Sequence, residues 1–361
     1  MIQDRGHGLN RRTLLCGAMF AIPSWPAFAE GVHPRTLVFP ADTGAHPDTR
    51  TEWWYVTGAL QAAGQLYGFQ ITFFRSRTGI PDSHPSRFAA SQLVFAHAAV
   101  SDLKQGRLRH DQRIARAGFG VAQAAEGDTA LTLHDWQLRR DGAGYRAQAT
   151  SDLGRFGLAL TLTPTQPLLL QGDAGFSRKG PQPQQASHYV SEPQLGAAGT
   201  LTLDGQAMAV QGKAWLDHEW SDSLLDPQAV GWDWIGINLD DGSALTAFRL
   251  RRADGSALWA GGSFRAAGQP VRDFKPDELH FTPLRAWTSP VTRAVYPVEW
   301  AVDTPAGRFA VRALLDNQEL DSRASTGAIY WEGLSELLDA SGRRVGLGYL
   351  EMTGYAQAMH L

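Results

Sequence analysis

The chain contains a single cysteine, Cys16, among its 361 residues. This cysteine lies within a segment patterned like a removable export signal, in which Arg11-Arg12 precede an apolar run ending at Ile22 and residues 27–29 form an Ala-Phe-Ala cleavage site. Cleavage after residue 29 would leave 361 − 29 = 332 residues without cysteine. The mature protein would then have neither disulfides nor a catalytic thiol, so its stability must come from a core.

The chain also lacks an excess of positive charge and a long apolar run. Its formal net charge is −3, and removal of residues 1–29, which carry three arginines and one aspartate, changes this to −5. Nucleic acid is therefore not an expected partner, because phosphate recognition needs a basic surface. The apolar run is shorter than the roughly 20 residues of a membrane span. We therefore expect a twin-arginine-type signal at 1–29 and a periplasmic or secreted protein, for which peripheral membrane contact stays open.

Long amphipathic helices are missing as well. The best helical candidate, residues 333–340, is short. The mature chain has no Gly-x-Ser-x-Gly nucleophile motif, which disfavours a serine hydrolase.

Alternating apolar and polar residues are abundant instead. They recur over residues 66–74, 130–136, 156–162 and 200–204, and Asp-Gly turns at 204, 241 and 254 separate such runs. This pattern is typical of antiparallel hairpins. It predicts an all-β fold of many short strands, as a sandwich or barrel, with few short helices.

An internal echo indicates two related domains. Residues 53–69 align without gaps on residues 232–248, an offset of 232 − 53 = 179, and each segment opens with a Trp-x-aromatic pattern. Four positions are identical, so chance remains an alternative. We predict β-domains at 30–195 and 196–361, with the Pro/Gln-rich stretch 179–185 as a linker or long loop.

Residues 214–234 concentrate aromatic and ionisable side chains. Strand alternation would place Trp215, Asp217 and Glu219 on one face and Leu216, His218 and Trp220 on the other. Paired carboxylates on one face favour an acid/base division, and a histidine among tryptophans favours proton transfer with stabilisation of a cation. The equal alternative is a satisfied structural network.

Three further residues have two interpretations each. Asp233 falls on an apolar face with Ile235, so it is either an acid with a raised pKa or an ionised group hydrogen-bonded across the domain junction. His188 and Tyr189 are either proton donors to the same pocket or anchors of the interdomain segment, which is the favoured interpretation. No clustered spacing supports a metal site built on His188, His218 and a carboxylate, so we expect none.

Several ordered segments resemble the AttH/CrtC-like lipocalin-type family, which includes carotenoid 1,2-hydratases and predicted secreted hydrolases. The matching segments are 46–58, 186–191, 212–220, 231–234, 296–300 and 330–333. They extend over nearly the whole mature chain. The resemblance implies two lipocalin-like antiparallel β-barrel domains packed together, no cofactor, and chemistry near the domain junction.

The resemblance also supplies candidate residues and two functions. The catalytic candidates are Asp217, His218, Glu219, Asp233, His188 and Tyr189. The ligand-binding candidates are Glu52, Trp53, Trp54, Tyr55, Trp215, Trp220, Trp232 and Trp234. The first function is binding of a hydrophobic or amphipathic small molecule, lipid or isoprenoid-like, with acid/base hydration or hydrolysis. The second is a non-catalytic carrier or accessory protein whose partner is an ABC transporter permease.

Overall fold

The structure, a computed structural model, describes residues 31–223 and 225–359. The expected signal at 1–29 lies outside these residues. Short 3-10 helices span Ala41–Thr43 and Pro276–Glu278, and nearly all other regular structure is antiparallel β. None of the helices in the described residues has the length and hydropathy of a membrane-spanning segment.

The first sheet contains thirteen strands. They are Thr51–Ala62 (β1), Gln65–Arg77 (β2), Gln92–Asp102 (β3), Arg107–Arg116 (β4), Ala122–Ala124 (β5), Ala130–Leu133 (β6), Trp136–Asp141 (β7), Gly144–Ser151 (β8), Phe156–Thr163 (β9), Leu169–Leu170 (β10), Phe176–Arg178 (β11), Ala186–Leu203 (β12) and Gln206–Ser221 (β13). Their order is β4-β3-β2-β1-β13-β12-β9-β8-β7-β6-β5, with β10 and β11 paired to β12. The two ends of this path contact each other through β3, β4, β5 and β6, so the sheet approaches a closed barrel.

The second sheet contains ten strands. They are Gly231–Leu239 (β14), Ala244–Arg251 (β15), Ala257–Arg265 (β16), Arg272–Phe274 (β17), His280–Thr288 (β18), Val295–Thr304 (β19), Gly307–Ala313 (β20), Glu319–Ser322 (β21), Ala328–Leu338 (β22) and Arg344–Met352 (β23). Their order is β17-β16-β15-β14-β23-β22-β20-β19-β18, with β21 paired to β22. In both sheets the opening strand lies between its hairpin partner and the last strand. The all-β prediction of two related antiparallel domains is confirmed.

Two details of the sequence interpretation are wrong. The boundary predicted between 195 and 196 falls inside β12, and the sheets divide between Ser221 and Gly231. The reason is that β12 and β13 form one long hairpin whose end pairs with β1. The helix considered for 333–340 is largely strand β22, which is buried on both faces and therefore lacks a strand's usual alternation.

The echoed segments do form the opening hairpins of the two sheets. The pairing registers of the two hairpins differ, however. Leu60 pairs with Tyr67 in the first hairpin and Ile237 pairs with Leu245 in the second, so positions that the echo aligns do not have equivalent partners. The echo therefore identified equivalent strands without fixing equivalent loops.

Three apolar clusters organise the molecule. The first fills the interior of the first sheet and includes Trp54, Val56 and Leu216. The second fills the inner face of the second sheet and includes Ile235 and Leu350. A third lies between the sheets and combines residues of both: Tyr55, Leu169, Trp215, Trp234, Ala244, Phe248, Leu334 and Tyr349. We call the space around this third cluster the junction.

Candidate functional site

Strand alternation divides the 214–220 motif between two environments. Trp215, Asp217 and Glu219 face the junction, where Trp215 packs with residues of the second sheet. Leu216 lies in the first core, and His218 stacks on Trp54 with ring centroids 4.5 Å apart. The predicted division of faces is thus confirmed. The adjacent Asp217 and His218 point away from each other, so they do not act on one ligand atom together.

Asp217 is surrounded by hydrogen-bond donors at the junction. It accepts from Tyr189 Oη at 2.7 Å, Ser191 Oγ at 2.5 Å and Trp215 Nε1 at 2.7 Å. Trp234 Nε1 donates to Tyr189 Oη at 3.0 Å, which leaves the phenol proton directed at Asp217. Burial raises the pKa of Asp217 to about 7, although these three hydrogen bonds favour its ionised form. Asp217 is therefore a buried carboxyl that titrates near neutrality and is prepared to accept a proton.

Two further carboxyls reach the junction from the second sheet. Burial, together with the charges of Asp217 and Glu219, raises the pKa of Glu351 to about 8. A hydrogen bond from Trp232 Nε1 at 3.1 Å acts in the opposite direction and lowers this pKa. Burial also raises the pKa of Glu332 well above its usual range, and the charge of Glu351 adds to this. Glu332 Oε1 makes no hydrogen bond within the described part of the chain. Burial therefore favours the protonated form of both glutamates.

Aromatic rings enclose these carboxyls. Trp234 meets Tyr55 edge-on at 5.4 Å and Trp215 edge-on at 6.5 Å between centroids. Trp53 and Trp232 pack against the same cluster and are only partly buried. Glu332 lies close enough to Tyr55 to raise the pKa of its phenol, after the larger effect of burial. The junction thus joins acidic protons to aromatic surfaces, a combination suited to cationic intermediates.

Glu219, the second carboxylate of the motif, is paired with a lysine. Lys179 Nζ lies 3.0 Å from Glu219 Oε1, and Ser187 Oγ donates to the same oxygen. The ammonium also lies 4.4 Å from the Tyr189 ring centre and 4.2 Å from that of Phe248. Glu219 is therefore one half of a buried ion pair that packs against Tyr189, and it is not a free acid or base.

A second polar cluster, which we call the barrel-end network, lies inside the first sheet at the end where β1 begins. Glu52 accepts from Arg75 Nε at 2.8 Å, His218 Nε2 at 2.8 Å and His46 Nδ1 at 2.7 Å. Burial alone would raise the pKa of Glu52, but the histidine hydrogen bonds outweigh it and lower the pKa to about 2. His46 Nε2 contacts Asp42 Oδ1 at 2.9 Å. Both ring nitrogens of His46 thus lie against carboxylate oxygens, which accept hydrogen bonds.

His46, Glu52 and His218 are also the group of described residues that offers metal-ligand atoms within 4.8 Å of one another. Their donor set would suit zinc. One ring nitrogen of each histidine, however, already donates to the same Glu52 oxygen. Arg75 and the His46 backbone N–H donate to the other oxygen. The geometry is that of a charge-compensated hydrogen-bond network, and we assign no metal to it.

The remaining candidates lie apart from the junction. Asp233 is within the second sheet, where it accepts from Arg249 Nε at 2.7 Å and Tyr355 Oη at 2.8 Å. Asp217, His218 and Asp233 therefore do not form one site, because alternation along β13 and β14 directs them into three different spaces. His188 donates from Nε2 to the His33 carbonyl at 3.1 Å and lies near Trp220 at the barrel end. His46 stacks flat on Trp220 at 3.9 Å.

A protein-family model for AttH-like proteins matches residues 30–355. The chain belongs to the AttH-like family. A crystal structure of a protein assigned to AttH from Nitrosomonas europaea is 49% identical, superposes with a TM-score of 0.83, and covers 90% of this chain and 98% of that one. No curated protein matches the chain.

Two distant solved structures share the fold of this AttH-like protein. Kievitone hydratase from Nectria haematococca is 14% identical with a TM-score of 0.68, covering 89% of this chain and 94% of the hydratase. The protein CghA is 14% identical with a TM-score of 0.50, covering 91% of this chain and 96% of that one. At these identities the likeness concerns the fold alone.

Sequence reasoning missed several junction and barrel-end residues of the AttH-like protein. Glu332 and His46 lie in segments that resemble the family, but they are not among the candidates named from the sequence. Glu351 lies outside all of those segments. A signal for Glu351 does exist in the duplicated fold, because Tyr55 pairs with Asp217 as Trp234 pairs with Glu351. Extending the echo to the last strand of each sheet would have found it. Lys179, Asp42 and Arg75 carry no comparable sequence signal.

Proposed function

We propose that this AttH-like protein binds a hydrophobic or amphipathic small molecule, lipid or isoprenoid-like, at the junction and performs acid/base hydration or hydrolysis on it. One observation carries the proposal: the buried carboxyls Glu332 and Glu351, whose pKa burial raises, lie with the hydrogen-bonded carboxyl Asp217 among the rings of Tyr55, Trp215 and Trp234. Proteins make one carboxyl of a site the acid and another the base by placing them in environments that give them different pKa values.

The chemistry balances with water as the only co-reactant. For hydration, a junction glutamic acid donates its proton to one carbon of a double bond, and aromatic faces stabilise the resulting cation. A water oxygen then bonds to the cation, and its released proton passes to ionised Asp217. Transfer of that proton back to the glutamate restores the resting site. The fold shared with a kievitone hydratase supports the view that such paired sheets can host this reaction class.

We further propose that the protein works in the periplasm or outside the cell after twin-arginine export, as its N-terminal pattern indicates. A lipid or isoprenoid ligand would be available from the membrane there. No cofactor enters the proposed steps, because water and the junction carboxyls supply every atom transferred.

The test uses ¹⁸O-labelled water. The exported protein is incubated with a lipid extract of its own host in this water, and products are analysed by mass spectrometry. Wild type is expected to place label in a ligand-derived product, because both hydration and hydrolysis form a new C–O bond with water. Glu332→Gln is expected to keep ligand binding and lose at least about 10²-fold in labelling, the usual contribution of a general acid.

The matched control is Glu336→Gln. Glu336 lies on the same strand, but its carboxylate is paired with Arg312. This variant is expected to label like wild type. Unchanged labelling in Glu332→Gln would contradict the proposed acid. A wild-type protein that co-purifies with lipid and labels nothing would instead identify the carrier function, with an ABC transporter permease as the partner to seek.

A further inference from the structure

Two loops at one end of the first sheet expose large aromatic side chains. Residues 78–91 connect β2 to β3 and carry Ile80 and Phe88, which are 38% and 73% exposed. Residues 117–121 connect β4 to β5 and carry Phe119, which is 52% exposed. Phe88 and Phe119 stack on each other, with ring centroids 5.7 Å apart and planes 14° from parallel. We call this protruding group of Ile80, Phe88 and Phe119 the aromatic tip.

Two arginines accompany the aromatic tip without carboxylate partners. The guanidinium carbons of Arg116 and Arg87 lie 4.4 Å and 5.5 Å from the centre of the Phe119 ring. Arg116 Nη2 donates to the carbonyls of Ala89 and Arg87 at 2.7 Å and 3.3 Å. Neither arginine forms an ion pair among the described residues, and loop 78–91 contains a single acid, Asp82. The tip therefore combines exposed rings with two arginines against one acid, although the whole chain is acidic.

The aromatic tip adjoins the open end of the first sheet. Arg77 Nη1 donates to the Asp48 carbonyl at 2.7 Å, and Gln92 Nε2 donates to the Pro47 carbonyl at 3.0 Å, so segment 46–50 is fixed to the strands that bear the tip. The same segment lines a cavity of about 380 Å³. Trp220 and His46 of the barrel-end network also line that cavity. The cavity and the tip are therefore connected through segment 46–50.

We propose that the aromatic tip docks the protein on a membrane containing anionic lipid. Exposed Phe rings gain free energy by entering the interface between headgroups and acyl chains, and the exposed Arg87 is available to pair with lipid phosphate. Arg116, whose Nε and Nη1 are buried, adds positive charge behind the Phe119 ring. Charge complementarity favours a membrane over a protein as the occupant. Cations lie beside the exposed rings, whereas the centre of a protein-binding groove would be apolar. With only two rings and two cations, binding is reversible and weakened by salt.

This docking surface is independent of the junction chemistry. Asp217, Glu332 and Glu351 lie between the sheets, whereas the tip lies on loops at the outer end of the first sheet. The docking test can therefore fail while the labelling test succeeds, and the reverse also holds.

The experiment is vesicle flotation with the exported protein, purified after signal removal so that the apolar N-terminus does not contribute. The vesicles are phosphatidylethanolamine–phosphatidylglycerol or pure phosphatidylcholine. Wild type is expected to float with the first and stay behind with the second. Phe88→Ser/Phe119→Ser is expected to lose at least about tenfold in affinity, and Arg87→Gln/Arg116→Gln to lose a similar factor together with the salt dependence.

Leu153→Ser is the matched control. Leu153 is 85% exposed at the turn between β8 and β9, where the neighbouring Arg155 is ion-paired with Asp204. It is expected to bind vesicles like wild type. Equal flotation of the double phenylalanine variant and wild type would overturn the proposal. So would wild-type dimers that dissociate in that variant, since a second copy of the chain would then be the occupant.

Discussion

At the scale of single residues, the environment of each carboxyl decides its chemistry. Asp217 accepts three hydrogen bonds, Glu219 has a lysine partner, and Glu332 Oε1 has no hydrogen-bond partner among the described residues. Three carboxyls of one junction thus have different hydrogen-bond environments. The sequence could nominate Asp217 and Glu219, because they stand in one aromatic motif. It could not rank them, since their partners Lys179 and Ser191 lie well before the motif in the sequence.

The raised pKa of Glu351 predicts a specific pH dependence of stability. Between pH 4.5 and about 8 the folded state keeps a proton on Glu351 that the unfolded state has lost, so raising the pH destabilises the fold. Glu351→Gln removes this contribution. The stability of the variant relative to wild type is therefore expected to increase steadily as the pH is raised across this window.

Urea denaturation at several pH values measures this difference. Buried histidines such as His97, whose pKa burial lowers to about 3, change stability in the opposite direction in both proteins and cancel in the comparison. Glu126→Gln, at an exposed glutamate, serves as the control. Parallel stability curves for Glu351→Gln and wild type would show that Glu351 is ionised in the folded protein.

At the scale of elements, the sheets approach each other most closely where glycine permits it. A Cβ atom added at Gly68 in β2 would lie 2.8 Å from both Leu334 Cβ in β22 and Tyr349 Oη in β23. Gly68→Ala is therefore expected to destabilise the protein by about 1–3 kcal/mol, the usual cost of overpacking. Thermal or urea unfolding measures this effect.

Gly157→Ala in β9 is the control for Gly68. Its added Cβ would meet nothing closer than 3.5 Å, so it is expected to be neutral or slightly stabilising. Equal effects of the two substitutions would mean that the loss of glycine flexibility, and not the contact between sheets, governs stability at Gly68.

Elements were predictable where one face is solvated. Strands β6 and β9 alternate strictly between buried and exposed residues, and the sequence located both. Strand β22 is buried along its whole length, so residues 333–340 carried no alternation and gave a wrong helix. The domain boundary failed for a related reason, because nothing in β12 indicates that its hairpin with β13 must return to β1.

At the scale of the whole molecule, the junction is a third core built from two sheets. Asn238 Nδ2 donates to the Ala214 carbonyl at 3.0 Å, and Ser101 Oγ donates to Gln318 Oε1 at 2.6 Å, so polar contacts join the sheets beside the apolar ones. The duplicated sequence indicated two domains that resemble each other. It did not indicate that equivalent positions, Asp217 and Glu351, would be brought to one space by face-to-face packing.

The central claim is that the junction holds a protonated glutamic acid at neutral pH, and carboxyl-carbon NMR tests it most directly. The protein is labelled with ¹³C at glutamate carboxyls and titrated, with Glu332→Gln assigning the Glu332 signal. We predict that this signal keeps the chemical shift of a protonated acid at pH 7. A Glu332 carboxyl that titrates below about pH 5, as an ordinary glutamate does, would contradict the account.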